Sequence, residues 1–540
     1  MSAAAAIPGL YYSFVRPPRT PSPLRTDVAG FFGRTLRGPV GTPVRIEGWR
    51  EYVSIFGDLT AQALTPYAIR AYFDNGAEAA HVVRLLGSGS QSASGTWNAG
   101  TFDPASGTLN ADWPGASGLS ALQFGIEASS PGDWANNTSV EIRYWFNGSG
   151  GAPEIQLEIS PPNETVEILQ GISPAYLADQ VNAQSAYIRM SPSPLPAGLA
   201  ESALQFPAAP AGPRFYEWQP FAKLAGGISV PPVKADYLNA VESLGDQPEV
   251  ALIASPDLYH PDFAAASDQL EILIALLGQA DRLHDRLVLI DVPPALADPL
   301  LSVGWVQQLR TSVQRLHGAR AEEILRNGAV YHPRLLVPDP IGAGPNPQRC
   351  TPCSGCVAGV VSRLDLQQGA YITPANVEID EAVDLSTLLD LKGQAVVYAG
   401  GLNLLTCSPS RGLLVWGGRV LGQASPGGYV AHRRLIHLFV RAIRRVAEPL
   451  VFDTNGPQLW LAFVRSITTV LLEAYRAGAL QGDTPSQAFQ VTCDATTNPP
   501  AQIDDGTVVC LVRVAPAIPM EFITLRVAVS AQGQLEVFES

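Results

Sequence analysis

Hydrophobic and polar positions divide the chain into stretches of different periodicity. Residues 9–16, GLYYSFVR, alternate, with Leu10, Tyr12 and Phe14 on one side, and run into a linker carrying Pro17, Pro18, Pro21 and Pro23. This is the pattern of a strand on a stiff tether. From Thr26 the text is denser. DVAGFFGRTLRGPV and TPVRI read as strands split by a Gly-Pro turn, and WREYVSIFG as a short helix stopped at Gly57. Leu64, Tyr67, Ala68, Ala71 and Tyr72 follow i, i+3, i+4, i+7, i+8, and HVVRLL closes the block as a strand.

Residues 87–210 change character. They are rich in Gly, Ser, Asn and Pro, with short alternating runs such as SVEIRYWF and EIQLEIS, which predicts a β-rich insertion. From 211 to 345 apolar strands (EVALIASP, RLVLIDVPP, GAVYHPRLLV) alternate with helical stretches at about 262–284 and 299–326, the order of a parallel α/β sheet. The last third carries two long helical patterns, YVAHRRLIHLFVRAIRRVAEPL and QLWLAFVRSITTVLLEAYRAGAL, then the strands FQVTCD, TVVCLVRV and EFITLRVAVS. In the last of these Ile523, Leu525, Val527 and Val529 share one face and Phe522 lies on the other. Both ends of the chain therefore read as strands. A terminal strand leaves a ladder of unpaired amide and carbonyl groups that another chain can complete, so strand exchange between subunits is expected.

Composition changes the picture in two ways. Hydrophobic residues make up 46% and charged residues only 16%, a low charge content that points to a surface covered by partners. Lys plus Arg number 35 against 49 Asp plus Glu, a net charge of −14, which repels phosphate backbones and removes nucleic acid from the expected partners. The N-terminal run lacks a basic leader pattern, and the longest apolar stretch, around LEILIALLGQA, is far short of the roughly 20 residues that span a bilayer. Direct membrane insertion is not expected. Six cysteines in 540 residues read as reduced thiols.

Two groups of residues carry candidate chemistry. Asp257, Asp291 and Asp339 fall near the C-terminal ends of predicted strands, with His260 close to the first, where α/β enzymes place carboxylates. Asp at that position also forms turns and caps helices. No G-x-G-x-x-G or Walker-type loop follows these strands, so the usual phosphate cradle is missing and no cofactor is expected. CTPCSGC places Cys350, Cys353 and Cys356 at C-x2-C-x2-C spacing, three of the four ligands a structural zinc needs, with Cys407 or His332 as a fourth. The alternative is an ordinary loop leading into a VAGV strand. An enzyme using either group is the second reading of the sequence.

The stretches TDVAGFFGRTLRGPVGTPVRIEGWREYVSIFG and AIRAYFDNGAEAAHVVRL resemble the opening of contractile phage-tail sheath proteins. VYHPRLLVPDP, VAGVVSRLDLQQGAYITPAN, GLNLLT, RGLLVWGGRVL, YVAHRRLIHLF, DTNGPQLWLAFV, ALQGDTPSQAFQVTCD and VAPAIPMEFITLRV follow in that family's order. The resemblance covers residues 8–86 and 329–530. It implies an α/β fold, α+β in its multidomain organisation, with no enzymatic activity. The implied segments are an N-terminal arm (1–24), a first part of a middle domain (25–86), an outer β-rich insertion (87–210), the rest of the middle domain (211–345), a tube-facing C-terminal domain (346–520) and a C-terminal arm (521–540).

The resemblance further implies a subunit that polymerises with itself as stacked rings of six around an inner tube protein. The rings end on baseplate and terminal cap proteins and contract to drive the tube through a target envelope. Leu10, Tyr12, Phe14, Phe522, Ile523, Leu525, Val527 and Val529 become intersubunit arm residues. Arg434, Arg441, Arg444 and Arg445, which lie largely along one side of a helix, become tube contacts, where a charged stripe is otherwise a solvated face. A terminal ring or membrane-adaptor component with the same fold is the nearest alternative. Assembly is expected in a bacterial cytoplasm, as part of a particle that is released or membrane-attached.

Overall fold

The structure is a computed structural model that describes residues 25–539 apart from 104–107, 111–120, 147–153, 163, 174–175, 193–203, 206–211, 216–217, 423–427, 451–452, 518–522 and 530–534. The expected arm residues Leu10, Tyr12, Phe14 and Phe522 and the proline linker lie outside the described residues.

A nine-stranded sheet organises the chain. Its strands are β1 (Ala29–Gly33), β2 (Val44–Ile46), β3 (Ala80–Arg84), β4 (Leu252–Ala254), β5 (Leu287–Asp291), β6 (Gly328–His332), β7 (Val377–Glu378), β8 (Asn403–Ser408) and β9 (Gly412–Trp416). Their order is β7-β9-β8-β6-β5-β4-β1-β3-β2. The six central strands are parallel, and β2, β9 and β7 add antiparallel edges.

The period of two within these strands sets the two cores. Phe31, Val82, Leu252, Leu289 and Tyr331 face one side, together with helices α1 (Trp49–Phe56), α2 (Thr65–Asp74) and α8 (Ser354–Gln368). Phe32, Val83, Ile253, Ile290 and Val330 face the other, against α4 (Lys234–Gly245), α5 (Ala266–Leu283), α6 (Pro299–His317) and α7 (Ala321–Leu325). A parallel sheet covered on both faces needs strands that are apolar at nearly every position, which is why β1, β3, β4, β5 and β6 are buried throughout.

The insertion is β-rich as expected and extends beyond 210, to the strand Gln219–Lys223. It forms two sheets, with α3 (Leu177–Gln184) packed on them, around a separate core that includes Ile142, Leu157, Val181 and Ile188. Residues 354–421 continue the large sheet domain through α8, α9 (Leu391–Ala399), β8 and β9. The C-terminal unit therefore begins at α10 (Val430–Ala447), not at 346. It adds α11 (Pro457–Arg476) and an antiparallel sheet in the order β10 (Phe489–Thr492), β11 (Val508–Val514), β12 (Ile523–Val529), β13 (Leu535–Glu539).

One sequence reading changes. VAGVV lies in helix α8 and not in a strand. A short apolar run of β-branched residues fits either element, and the fifteen-residue length that decides for a helix is masked by the polar SRLDLQQ tail.

Candidate functional site

The strand-end carboxylates sit where the topology of an α/β sheet leaves a crevice. From β1 the chain crosses to β3 on one side and, after the insertion and α4, returns to β4 on the other, a switch point of the kind that holds ligands in enzymes. A cavity remains there, lined by Arg34, Arg84, His260 and Asp262 among others, while the carboxylate beside it is committed to the fold. Asp257 is fully buried and accepts hydrogen bonds from the backbone amides of Leu64 (2.6 Å), Thr65 (3.2 Å) and Arg34 (2.9 Å) and from the Thr65 hydroxyl (2.6 Å). It caps the N-terminus of α2 from 192 residues away, as an anion at a helix start should.

Asp291 does the same for α8, accepting from the Ser354 amide (2.9 Å) and the Cys353 thiol (3.4 Å). Burial pushes its carboxyl up despite these donors. Asp339 accepts from the Tyr67 hydroxyl (2.5 Å) and from Arg349 Nε (3.0 Å), while the Arg349 guanidinium lies 4.8 Å from the Tyr67 ring centre. Burial acts to raise the Asp339 carboxyl, yet the Tyr67 and Arg349 donors hold it below the usual carboxylate range. His260 lies near Asp257, and its Nδ1 accepts from the Asp262 amide at 3.2 Å. Both carboxylate oxygens of Asp257 are thus engaged by the fold.

CTPCSGC is neither a loop nor a cluster. Cys350 is exposed on the strand Gln348–Thr351, Cys353 is the N-cap residue of α8, and Cys356 is buried one turn into that helix. Burial pushes the Cys353 thiol well up and the Cys356 thiol up to about 12, against the thiolate that metal ligation requires. Among the described residues no three His, Cys, Asp or Glu side chains are grouped to hold a metal ion. The motif's glycines matter more. Gly355 and Gly359, one helical turn apart, lie against the backbone of α2 at Ala68 and Tyr72.

The arginines of α10 also take a different place. Arg434 and Arg441 are buried, at 3% and 8% exposure, so neither offers a surface to a tube. Arg434 pairs with Asp365 and donates to the Thr26 carbonyl at 2.9 Å. Arg441 donates to the carbonyls of Asp285 (3.0 Å), Arg25 (2.9 Å), Glu249 (3.2 Å) and Val250. Arg444, half-buried, donates to Asp285 (2.9 Å) and to the Leu283 carbonyl. Arg445 is half-buried and engaged.

These acceptors precede β1, β4 and β5, so α10 lies across the N-terminal ends of the parallel strands, where carbonyls are left without ladder partners. Burial and the neighbouring guanidiniums push the Arg441 group down to about 10, leaving it cationic at neutral pH. The opposite face of α10, with Phe439, Val440 and Ile443, packs against Trp460, Phe463 and Ile467 of α11. The helix is buried on both faces and locks the C-terminal unit to the sheet domain.

What α10 hides, α11 presents. Leu461 is 49% exposed, and Arg465, Thr469, Glu473 and Arg476 continue that outer side at helical spacing. Arginine density draws attention to α10; the apolar i, i+4 seam Phe463–Ile467–Leu471, buried beneath α11, is the signal in the sequence that the other side of α11 is free. Strand β12 pairs within its own chain, from Val508↔Val529 to Val514↔Ile523 on β11 and from Leu525↔Glu539 to Val529↔Leu535 on β13. Ile523, Leu525, Val527 and Val529 are therefore on a central strand of the C-terminal sheet.

Comparison with known proteins follows this division. Residues 424–530, from just before α10 through β12, match the phage tail sheath C-terminal domain family. The tail sheath protein of Vibrio phage KVP40 is 27% identical over 181 residues, 33% of this chain and 26% of the relative. A putative prophage major tail sheath protein of Pseudomonas aeruginosa is 27% identical over 214 residues, 38% of this chain and 54% of the relative. The chain thus matches about a quarter to a half of the length of these curated relatives.

The fold is shared more widely. The sheath tail protein of Listeria innocua superposes with a TM-score of 0.61 at 12% identity, over 94% of this chain and 96% of that one. The helical sheath of the anti-feeding prophage in its contracted state gives 0.53 at 18% identity, over 96% and 98%. Residues 424–530 are thus matched in sequence to the phage tail sheath C-terminal domain, and over nearly its whole length the chain has the fold of sheath tail proteins.

Proposed function

We propose that the chain is the sheath subunit of a contractile injection system. It polymerises with itself as stacked rings of six around an inner tube, bounded by baseplate and cap proteins, and contracts to drive that tube through a target envelope. Energy is stored in the assembled lattice. A metastable lattice of this kind needs rigid bodies that re-pack between two discrete arrangements while their links stay constant.

The observation that carries this reading is the two-faced burial of α10. A subunit whose C-terminal unit is bolted to its sheet domain by Arg434, Arg441 and Arg444 transmits force as one body. The links then fall to the chain ends. Residues 10–14 and 523–529 are proposed as arms that pair with neighbouring C-terminal sheets. The register of β12 on β11 can be filled equally by a neighbour's copy of the same strand, the geometry of a swap. The tube-facing surface is the exposed side of α11 together with Arg444 and Arg445. The insertion, which has a core of its own, decorates the outside.

Sedimentation of the purified chain tests the reading. A sheath subunit forms very large helical polymers, whereas a monodisperse small species in every condition would remove the sheath function.

A further inference from the structure

We propose that the paired N-terminal ends of α6 and α9 form a contact between two copies of this chain in the assembled sheath, an inference that rests on the sheath reading above. Leu391, Leu300 and Leu388 are the most exposed large hydrophobic side chains among the described residues, at 83%, 72% and 71%, and their neighbour Leu301 is 53% exposed. All four belong to one place. A Cβ on Gly393 would meet Pro299 at 3.2 Å and one on Gly400 would meet Val303 at 2.5 Å, so α6 and α9 run side by side in the same direction with their starts level.

The patch is held firmly. Asp298 caps α6, accepting from the amides of Leu300 (2.9 Å) and Leu301 (3.3 Å), and Asp390 caps α9, accepting from Gly393 (2.7 Å). The leucines therefore stand on fixed backbone, and little ordering entropy remains to be lost on contact. Helix α9 itself, LKGQAVVYA, is apolar almost all round, yet only Val397 is buried. An all-apolar helix is normally covered.

Chemistry and area identify the occupant. Apart from the capping aspartates, Lys392 is the single charged residue between 388 and 399, which gives nothing to select an acidic lipid surface or a charged tube. The patch offers a few hundred Å2 of apolar surface, in the range where such patches are functional. That is less than the roughly 800 Å2 per partner of a stable free-standing complex. A contact too small to hold a dimer by itself, and repeated at every subunit, fits a lattice of identical chains in which many weak joints act together.

The test is the Leu388→Glu/Leu391→Glu double variant of the full chain. Both side chains are exposed, so its unfolding temperature should match wild type. Its concentration threshold for polymerisation should rise at least about tenfold, and amide exchange across 391–399 in wild type should slow on polymerisation. Polymerisation of the variant at the wild-type threshold would overturn the proposal. So would 391–399 amides that stay fast in wild-type polymers, which would assign the patch to a different partner, or that are already slow in the free subunit, which would assign it to another segment of the same chain. Failure of wild type to polymerise at all would overturn the sheath reading itself.

Discussion

Gly355 presses against Ala68 so closely that a Cβ on the glycine would lie 2.2 Å from the Ala68 carbonyl oxygen. Backbone is on the other side of the contact, so α8 would have to move away from α2 to admit a methyl group. Gly355→Ala should cost at least about 2 kcal/mol, the range of core overpacking. Gly304→Ala, on α6 with nothing within 4 Å of its Cβ, should be neutral or stabilising by about 0.5–1 kcal/mol. Denaturant unfolding of the two variants checks the pair.

Asp257 joins three stretches of chain through four donors. Asp257→Ala leaves the part-buried amide of Leu64 and the buried amide and hydroxyl of Thr65 without partners, and should destabilise by about 2–4 kcal/mol. The loss should appear as faster exchange of the α2 amides. A variant as stable as wild type would return Asp257 to the list of chemical groups.

How much of this was legible in the sequence divides along physical lines. Periodicity placed β1, β3, β4, β5 and the helices α1, α2, α5 and α6, whereas α4, α8 and α9 were not legible in it. Parallel strands buried on both faces and amphipathic helices write their environment into local pattern. Long-range polar partnership does not. Asp257, Asp291 and Asp339 looked alike as strand-end carboxylates, and only the folded chain shows that their donors come from residues 34, 64, 65, 67, 349, 353 and 354. Arg434 and Arg441 were read as a surface stripe for the same reason: a buried guanidinium satisfied by carbonyls leaves no local trace. The cysteine spacing suggested a ligand set, while the informative residues were the glycines beside it.

Removing the α10 lock and altering the α11 surface should have separable effects. Arg441→Ala leaves up to four buried carbonyls unpaired and should loosen the junction by roughly 2–4 kcal/mol, seen as new protease cleavage between 417 and 430 in the free subunit. Arg465→Glu/Arg476→Glu on α11 should leave the free subunit unchanged and weaken assembly around the tube. Equal behaviour of both variants in the free subunit would contradict the division of roles.

Three buried histidines predict acid sensitivity. Burial lowers His332 to about 4, lowers His432, and holds His437 well below the ordinary value with help from Arg433 and Arg441. Their folded values lie below the unfolded one of about 6.5, so the unfolded chain takes up more protons as pH falls. Their stabilising contribution is complete above about pH 6.5 and is lost on acidification, down to about 4 for His332. Each costs on the order of 1 kcal/mol per pH unit within its window. The unfolding temperature should fall from pH 7 to pH 5, and His332→Leu should flatten that slope. An unchanged slope would contradict the assignment.

Electron microscopy of the chain expressed with and without its inner tube protein tests the central claim most directly. The account predicts helical tubes in both cases, wider for the chain alone and narrower when wrapped on the tube. Small monodisperse particles in both preparations would contradict it.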